Sequence, residues 1–182
     1  MTSRAAGNRV PAGESAIRTQ RLALRRLELC DAEFILELLN EAEFLRFIGD
    51  KGVRTLHGAR EYLLQGPIDS YARHGFGLYA SCLQGTPIGI CGLVWRKGLA
   101  DPDIGFAFLS RYRLQGYAAE SAAAVLAHAR AELRIGRIVA VTDPQNQGSI
   151  AVLHKIGFEF ERMIRLPEHG IDLKLFGSAP PA

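Results

Sequence analysis

The sequence is poor in cysteine, in long apolar runs and in any excess of one charge, and each shortage excludes something. Its three cysteines, Cys30, Cys82 and Cys91, cannot all pair within one chain, and neither a C-x-x-C nor an H-E-x-x-H spacing occurs. A disulfide framework and a zinc site are therefore disfavoured, and no metal is expected. The longest apolar stretch, Ile88 to Trp95 with its two glycines, falls far short of the roughly 20 residues that cross a bilayer. With 22 basic and 19 acidic residues the net charge is +3, and the basic residues are scattered, so neither nucleic acid nor a membrane is demanded as partner. Near the start Gly7, Pro11 and Gly13 interrupt Arg4, Arg9 and Arg18, and no hydrophobic segment follows. That removes a secretory signal and spoils the amphipathic helix of an organelle presequence, leaving a reducing cytoplasm as the expected location.

What is present is ordinary globular material: 182 residues, 48% hydrophobic and 23% charged, the size of one domain. Residues 1–18 have neither helical nor strand periodicity and read as a mobile tail, with a single α/β domain over 19–178. Leu22, Leu24 and Leu27 mark a short strand, and Asp31 is a candidate N-cap for a helix through Leu39. Helical patterns follow over 41–48 and from Thr55 or His57 to Tyr71, where Gly66-Pro67 must break or kink the helix. Residues 76–83 and 87–95 read as an antiparallel hairpin, and 103–109 as a third strand. From Tyr117 to Leu133 one apolar stripe at helical spacing predicts an amphipathic helix. Ile138 to Val141 is a β-branched run of the kind buried on both faces, expected to lie parallel to 103–109. A helix over 147–156 and a last strand pair, 158–165 and 171–176 around His169-Gly170, complete the chain.

Chemistry concentrates at two junctions. In Arg113-Leu114-Gln115-Gly116-Tyr117-Ala118 a glycine opens a helix, where unpaired N–H groups and the positive dipole end favour an anion; the plainer reading is a chain-reversing glycine. Neither G-x-G-x-x-G nor a P-loop is present, so a dinucleotide or nucleoside triphosphate has no warrant. The preceding strand has Ile104, Phe106 and Phe108 on one face and Asp103, Gly105 and Ala107 on the roomier other. This puts the Asp103 carboxylate on the ligand side unless a bulge inverts the parity, the alternative being a surface acid. At the second junction Asn146 is either a helix N-cap or a ligand contact, and Ser149 shares its face. Cys91 lacks a nearby base and reads as a packed strand thiol. Trp95 and Tyr112 at strand ends, and His74 and His169 in turns, have packing or solvation as their plain explanation.

Arg113-x-x-Gly116-x-Ala118 resembles the [QR]-x-x-G-x-[GA] acyl-CoA signature of the GNAT superfamily of N-acetyltransferases. Thr19-Gln20-Arg21-Leu22, Ala119-Glu120-Ser121 and Asn146-x-x-Ser149 closing at Gly157-Phe158 are similar to the branch that acetylates ribosomal-protein N-termini. The resemblance, over about 18–176, implies a mixed sheet of six to seven strands flanked by helices and splayed between its fourth and fifth strands, with acetyl-CoA in the gap. It implies a pyrophosphate held by backbone N–H groups of Leu114, Gln115, Gly116, Tyr117 and Ala118 in the loop that Arg113 opens. The pantetheine arm would meet backbone around Phe106, Ala107, Phe108 and Leu109, and Asn146. The family often has glycine where Leu114 stands, and many members have, where Leu153 stands, a tyrosine that protonates the leaving thiolate. The similar branch lacks that tyrosine, so Ser149 becomes the candidate acid and Asp103, acting through a water, the candidate base, with a backbone N–H near Phe108 as oxyanion donor. The acceptor implied is a primary amine, a protein or peptide N-terminus first and a polyamine or aminoglycoside second, and oligomeric state is left open, a homodimer included. A non-catalytic acyl-CoA-binding regulatory domain is the rival from another class.

Overall fold

The computed structural model describes residues 15–167 and 170–178; His169 lies outside them. Strands β1 (Ser15–Arg18) and β2 (Leu22–Arg26) pair antiparallel, so the sheet begins four residues before the boundary expected at Thr19. Helices α1 (Ala32–Leu39), α2 (Ala42–Phe47), α3 (Leu56–Leu63) and α4 (Asp69–His74) follow. Asp31 starts α1 without capping it: its carboxylate accepts from Arg25 and from the Glu28 N–H instead. Between α3 and α4 a π-helical turn, Leu64–Ile68, contains Pro67. The wider turn absorbs the missing proline N–H, so the helix kinks rather than breaks.

The meander β3 (Leu78–Leu83), β4 (Thr86–Val94) and β5 (Asp103–Phe108) is antiparallel throughout. After it come α5 (Tyr117–Ala131), β6 (Val139–Thr142), α6 (Gln147–Lys155) and the hairpin of β7 (Phe158–Arg165) and β8 (Asp172–Ser178). The eight described strands form one sheet ordered β1-β2-β3-β4-β5-β6-β8-β7, against the six or seven expected. The added strand is β1, whose composition shows no alternation to betray it.

The sheet separates two cores. Ile104, Phe108, Val125, Leu126, Ile138, Leu153 and Phe176 pack on the α5 and α6 side. Ile35, Leu38, Leu39, Ala59, Leu63, Ile90 and Leu109 pack under α1 to α3. Burying a side chain such as the fully enclosed Leu109 contributes roughly 1.5–3 kcal/mol, enough to hold β5 rigidly between both layers.

Candidate functional site

Strands β5 and β6 run parallel but share a single register pair, Asp103 with Val139, before they diverge. The cause is visible at the closed end. The Val139 N–H donates to the Pro102 carbonyl at 2.9 Å, as a parallel ladder requires. The next donor along β6, the Val141 N–H, is taken by Asp103 Oδ1 at 3.1 Å instead of by a β5 carbonyl. A side chain thus replaces the next rung and the sheet opens into a wedge at the expected place.

Parity decides which backbone groups line that wedge. The Leu109 N–H is bonded to Ile88 of β4 and the Pro102 carbonyl to β6. Neighbouring residues of a strand turn their N–H and C=O to opposite edges, so Ile104, Phe106 and Phe108 face the gap. Ala107 and Leu109 face β4, which removes their backbones from the expected pantetheine contacts. Leu109 is fully buried, and its carbonyl accepts from the Tyr112 N–H.

The gap is a cavity of about 870 Å³, reaching from Arg96, Asp103 and Leu173 at one end to Gly116, Tyr117 and Ala119 at the other. Phe44 and Phe47 of α2 and Ile48 just after it wall one side, and Asn146, Ser149 and Leu153 of the α6 segment the other. Leu114 (φ +58°) and Gly116 (φ +84°) both adopt left-handed backbone before α5. The result is a run of N–H groups, from Leu114 to Ala119, with no partner among the described residues. Such a cradle at the start of a 15-residue helix fits a diphosphate. Leu114 is fully exposed, so only its backbone shapes the cradle.

Two arginines that look alike in sequence have different tasks. Arg21 clamps the cradle from β2's side: its Nε meets Glu120 at 2.6 Å, its Nη1 donates to the Gln115 carbonyl at 2.9 Å, and its guanidinium lies 4.4 Å from the Tyr117 ring centre. Thr19 donates to the same Glu120 carboxylate at 2.6 Å. Arg113, expected at the cofactor, turns its side chain to α2. It donates to Glu41 at 2.7 Å, to Glu43, and through Nε to the Phe108 carbonyl at 2.8 Å. Glu41 also accepts from the Ser110 N–H at 2.9 Å, so α2 is tied to the end of β5.

Asp103 is buried on the α1 to α3 side rather than lying at the surface. Burial is the largest influence on it and pushes its pKa up to about 6, against the pull of Arg96 and the Val141 N–H. Arg96 Nε and Nη2 both donate to Asp103 Oδ2, at 2.9 and 2.7 Å. Asn146 caps α6, its Oδ1 accepting from the Ser149 N–H at 3.0 Å, so the capping reading holds, and Asn146 also lines the cavity. Ser149 lines the cavity, and its hydroxyl has no bond to another described residue. Cys91 is fully buried and burial pushes its thiol up, as a packed strand thiol should be. Trp95 stacks with His74, which stacks with Phe76, outside the cavity; Tyr112 lines it. Arg96, Arg21, Glu41 and Glu43 were not singled out by sequence, because each acts through a partner set by the fold. Only Thr19-Gln20-Arg21 carried a hint, as part of a motif.

Residues 21–159 match the acetyltransferase (GNAT) domain family. The chain is similar to the uncharacterised N-acetyltransferase YnaD of Bacillus subtilis (strain 168), 29% identical over 148 residues that cover 80% of this chain and 83% of that one. In fold it is similar to the ribosomal L7/L12 α-N-protein acetyltransferase RimL, solved with coenzyme A, at a TM-score of 0.77 and 20% identity over 87% of this chain and 94% of that one. It is also similar in fold to AAC(6')-Ib, solved with paromomycin and acetyl-CoA, at a TM-score of 0.72 and 19% identity over 87% and 93% of the two chains. The wedge, the cradle and the family match together identify the chain as a member of the GNAT family and an acetyl-CoA-dependent N-acetyltransferase.

Proposed function

We propose that the acceptor is the N-terminal amine of a protein or peptide. The observation that carries this reading is the charge of the cavity wall. Glu43, Asp103 and Asp143 are balanced by Arg96, Arg113 and Lys155, and the first two acids are already engaged by arginines. A polyamine or aminoglycoside brings several ammonium groups and needs a surplus of unpaired acid, whereas a single amine on an otherwise neutral chain does not. The apolar wall of Phe44, Phe47 and Ile48 suits a peptide's first side chains.

In the transfer an N–C bond forms to the acetyl carbon and the C–S bond breaks; the amine loses a proton and the leaving sulfur gains one. Acetyl-CoA would supply the activated acetyl thioester, its diphosphate addressed by the N–H groups of Leu114 to Ala118 and its arm by Phe106, Phe108 and Asn146. Asp103 receives the amine's proton through a water; its pKa of about 6 leaves it ionised at neutral pH yet basic enough to act. The Phe108 N–H, expected as oxyanion donor, stands five residues along the extended strand from Asp103, roughly 16 Å away, too far to share a reacting centre with it; the Phe106 N–H, the nearer donor facing the gap, opposes the charge that develops on the thioester oxygen. The Ser149 hydroxyl relays a proton from water to the departing sulfur, and Asp103 returns the amine's proton to solvent. Free thiols at Cys30, Cys82 and Cys91 support a reducing cytoplasm.

Thiol release from acetyl-CoA, measured across peptides, spermidine and kanamycin, tests the reading. Fastest release with peptides is expected. Preference for either polycation would overturn the acceptor, and silence with all three despite coenzyme A binding would favour a non-catalytic domain.

A further inference from the structure

Resting on the reading of the acceptor as an N-terminal amine, we infer that Arg96 is a specificity-determining residue that binds an oxygen carried on the carbon next to the one bearing the amine, the position of the first peptide carbonyl. Arg96 sits just after β4 and faces Asp103 across the connection to β5. Both of its bonds converge on one carboxylate oxygen, while the other oxygen is fixed by the Val141 N–H. The guanidinium is therefore held at one edge by a carboxylate that is itself anchored to the backbone. Of its five donors the remaining ones, including all of Nη1, have no partner among the described residues. The side chain is only 21% exposed and lines the cavity at the end remote from the diphosphate cradle.

A fixed, partly desolvated fork of donors is well matched to an oxygen acceptor and poorly matched to a cation. In an α-aminoacyl group the carbonyl oxygen and the amine are one carbon apart. An oxygen held by Arg96 therefore brings the amine beside Asp103, the group proposed to receive its proton. A polyamine has no such oxygen and would place a second ammonium against the arginine. A free amino acid offers a carboxylate of similar chemistry, so the test separates the two sources.

Wild-type enzyme and Arg96→Lys are compared on four acceptors: a short alanine-initiated peptide, the same peptide with its first peptide bond replaced by an uncharged trans carbon–carbon double bond, alaninamide and free alanine. Lysine keeps a charge beside Asp103 and avoids leaving a buried carboxylate unpaired. Loss of the carbonyl is expected to lower the wild-type kcat/KM by roughly 10- to 100-fold, mainly through KM, the effect of losing one hydrogen bond to a charged group. In Arg96→Lys, whose compact ammonium stays on Asp103 and lacks the second edge of the fork, that gap should shrink to about threefold or less, with the KM for acetyl-CoA unchanged. A purely structural role would depress all four acceptors alike. Wild-type indifference to the carbonyl, or a lysine variant with undiminished discrimination, overturns the Arg96 assignment while peptide preference stands. Preference for spermidine over every acceptor here would instead remove the acceptor reading itself, and Arg96 with it. Alaninamide outperforming alanine assigns the oxygen to a peptide carbonyl, and the reverse order to a free carboxylate, which would overturn the peptide position.

Discussion

Replacing Gly116 by glutamate separates backbone shape from ligand charge at the proposed diphosphate cradle. Gly116 has φ +84° and begins α5, so any side chain there is held in the left-handed region, at about 1–2 kcal/mol. A Cβ would stand 3.3 Å from Arg21 Nη2, the mobile tip of a side chain 42% exposed, which can shift a few tenths of an ångström. The fold should therefore survive, with melting lowered by roughly 2–8 °C. A new carboxylate about 5 Å from a doubly charged diphosphate adds repulsion of roughly 2 kcal/mol in water-like surroundings and about 7 at an effective dielectric of 20. Coenzyme A affinity should fall at least ~30-fold. Gly116→Ala carries the backbone term alone and should lose far less. Isothermal titration of coenzyme A into both variants, each first shown to melt cooperatively, decides the matter. A folded Gly116→Glu that binds coenzyme A as tightly as the wild type would refute the placement of the diphosphate.

Because Asp103 must be unprotonated to accept a proton, kcat/KM should show, in addition to the loss below about 8 that protonation of the acceptor amine itself imposes, a loss as pH falls through about 6. Asp103→Asn should remove that limb and slow turnover by about 10²–10⁴-fold while coenzyme A affinity stays within a few-fold, as stopped-time thiol release at several pH values would record. Ser149→Ala leaves the Asn146 cap intact, since that bond uses the Ser149 backbone, so melting should hold while kcat falls about tenfold or more; an unchanged kcat would take Ser149 out of the proton path. Leu114→Gly relieves the left-handed strain of Leu114 but loosens the unfolded chain, two effects of about 1 kcal/mol with opposite sign. Its melting temperature should move by less than about 3 °C, with coenzyme A affinity within about threefold, unless the leucine side chain itself meets the ligand.

Local pattern made much of the architecture legible. The stripe from Ala118 to Leu133, the β-branched run at Ile138 to Val141 and the turn glycines placed the elements within a few residues, because each rests on neighbours in sequence. The wedge between β5 and β6 came with the family resemblance and lies where it was expected; the left-handed turn at Leu114 and Gly116 is present, and its service to a diphosphate is proposed. What escaped needs the register of distant strands. Ala107 and Leu109 could be set apart from Phe106 and Phe108 only after the Leu109 N–H was seen to bond Ile88. Arg113 looks like a phosphate ligand until Glu41 and Glu43, some 70 positions away, are folded against it. Arg96 is one arginine among many until the connection between β4 and β5 brings it onto Asp103.

The most direct measurement is a crystal structure of the chain with coenzyme A and a non-reactive peptide. The diphosphate should lie on the N–H groups of Leu114 to Ala118, the pantetheine amides should bond the Phe106 and Phe108 backbone between β5 and β6, and the peptide's amine should point at Asp103. Electron density for coenzyme A anywhere other than between those strands would contradict it.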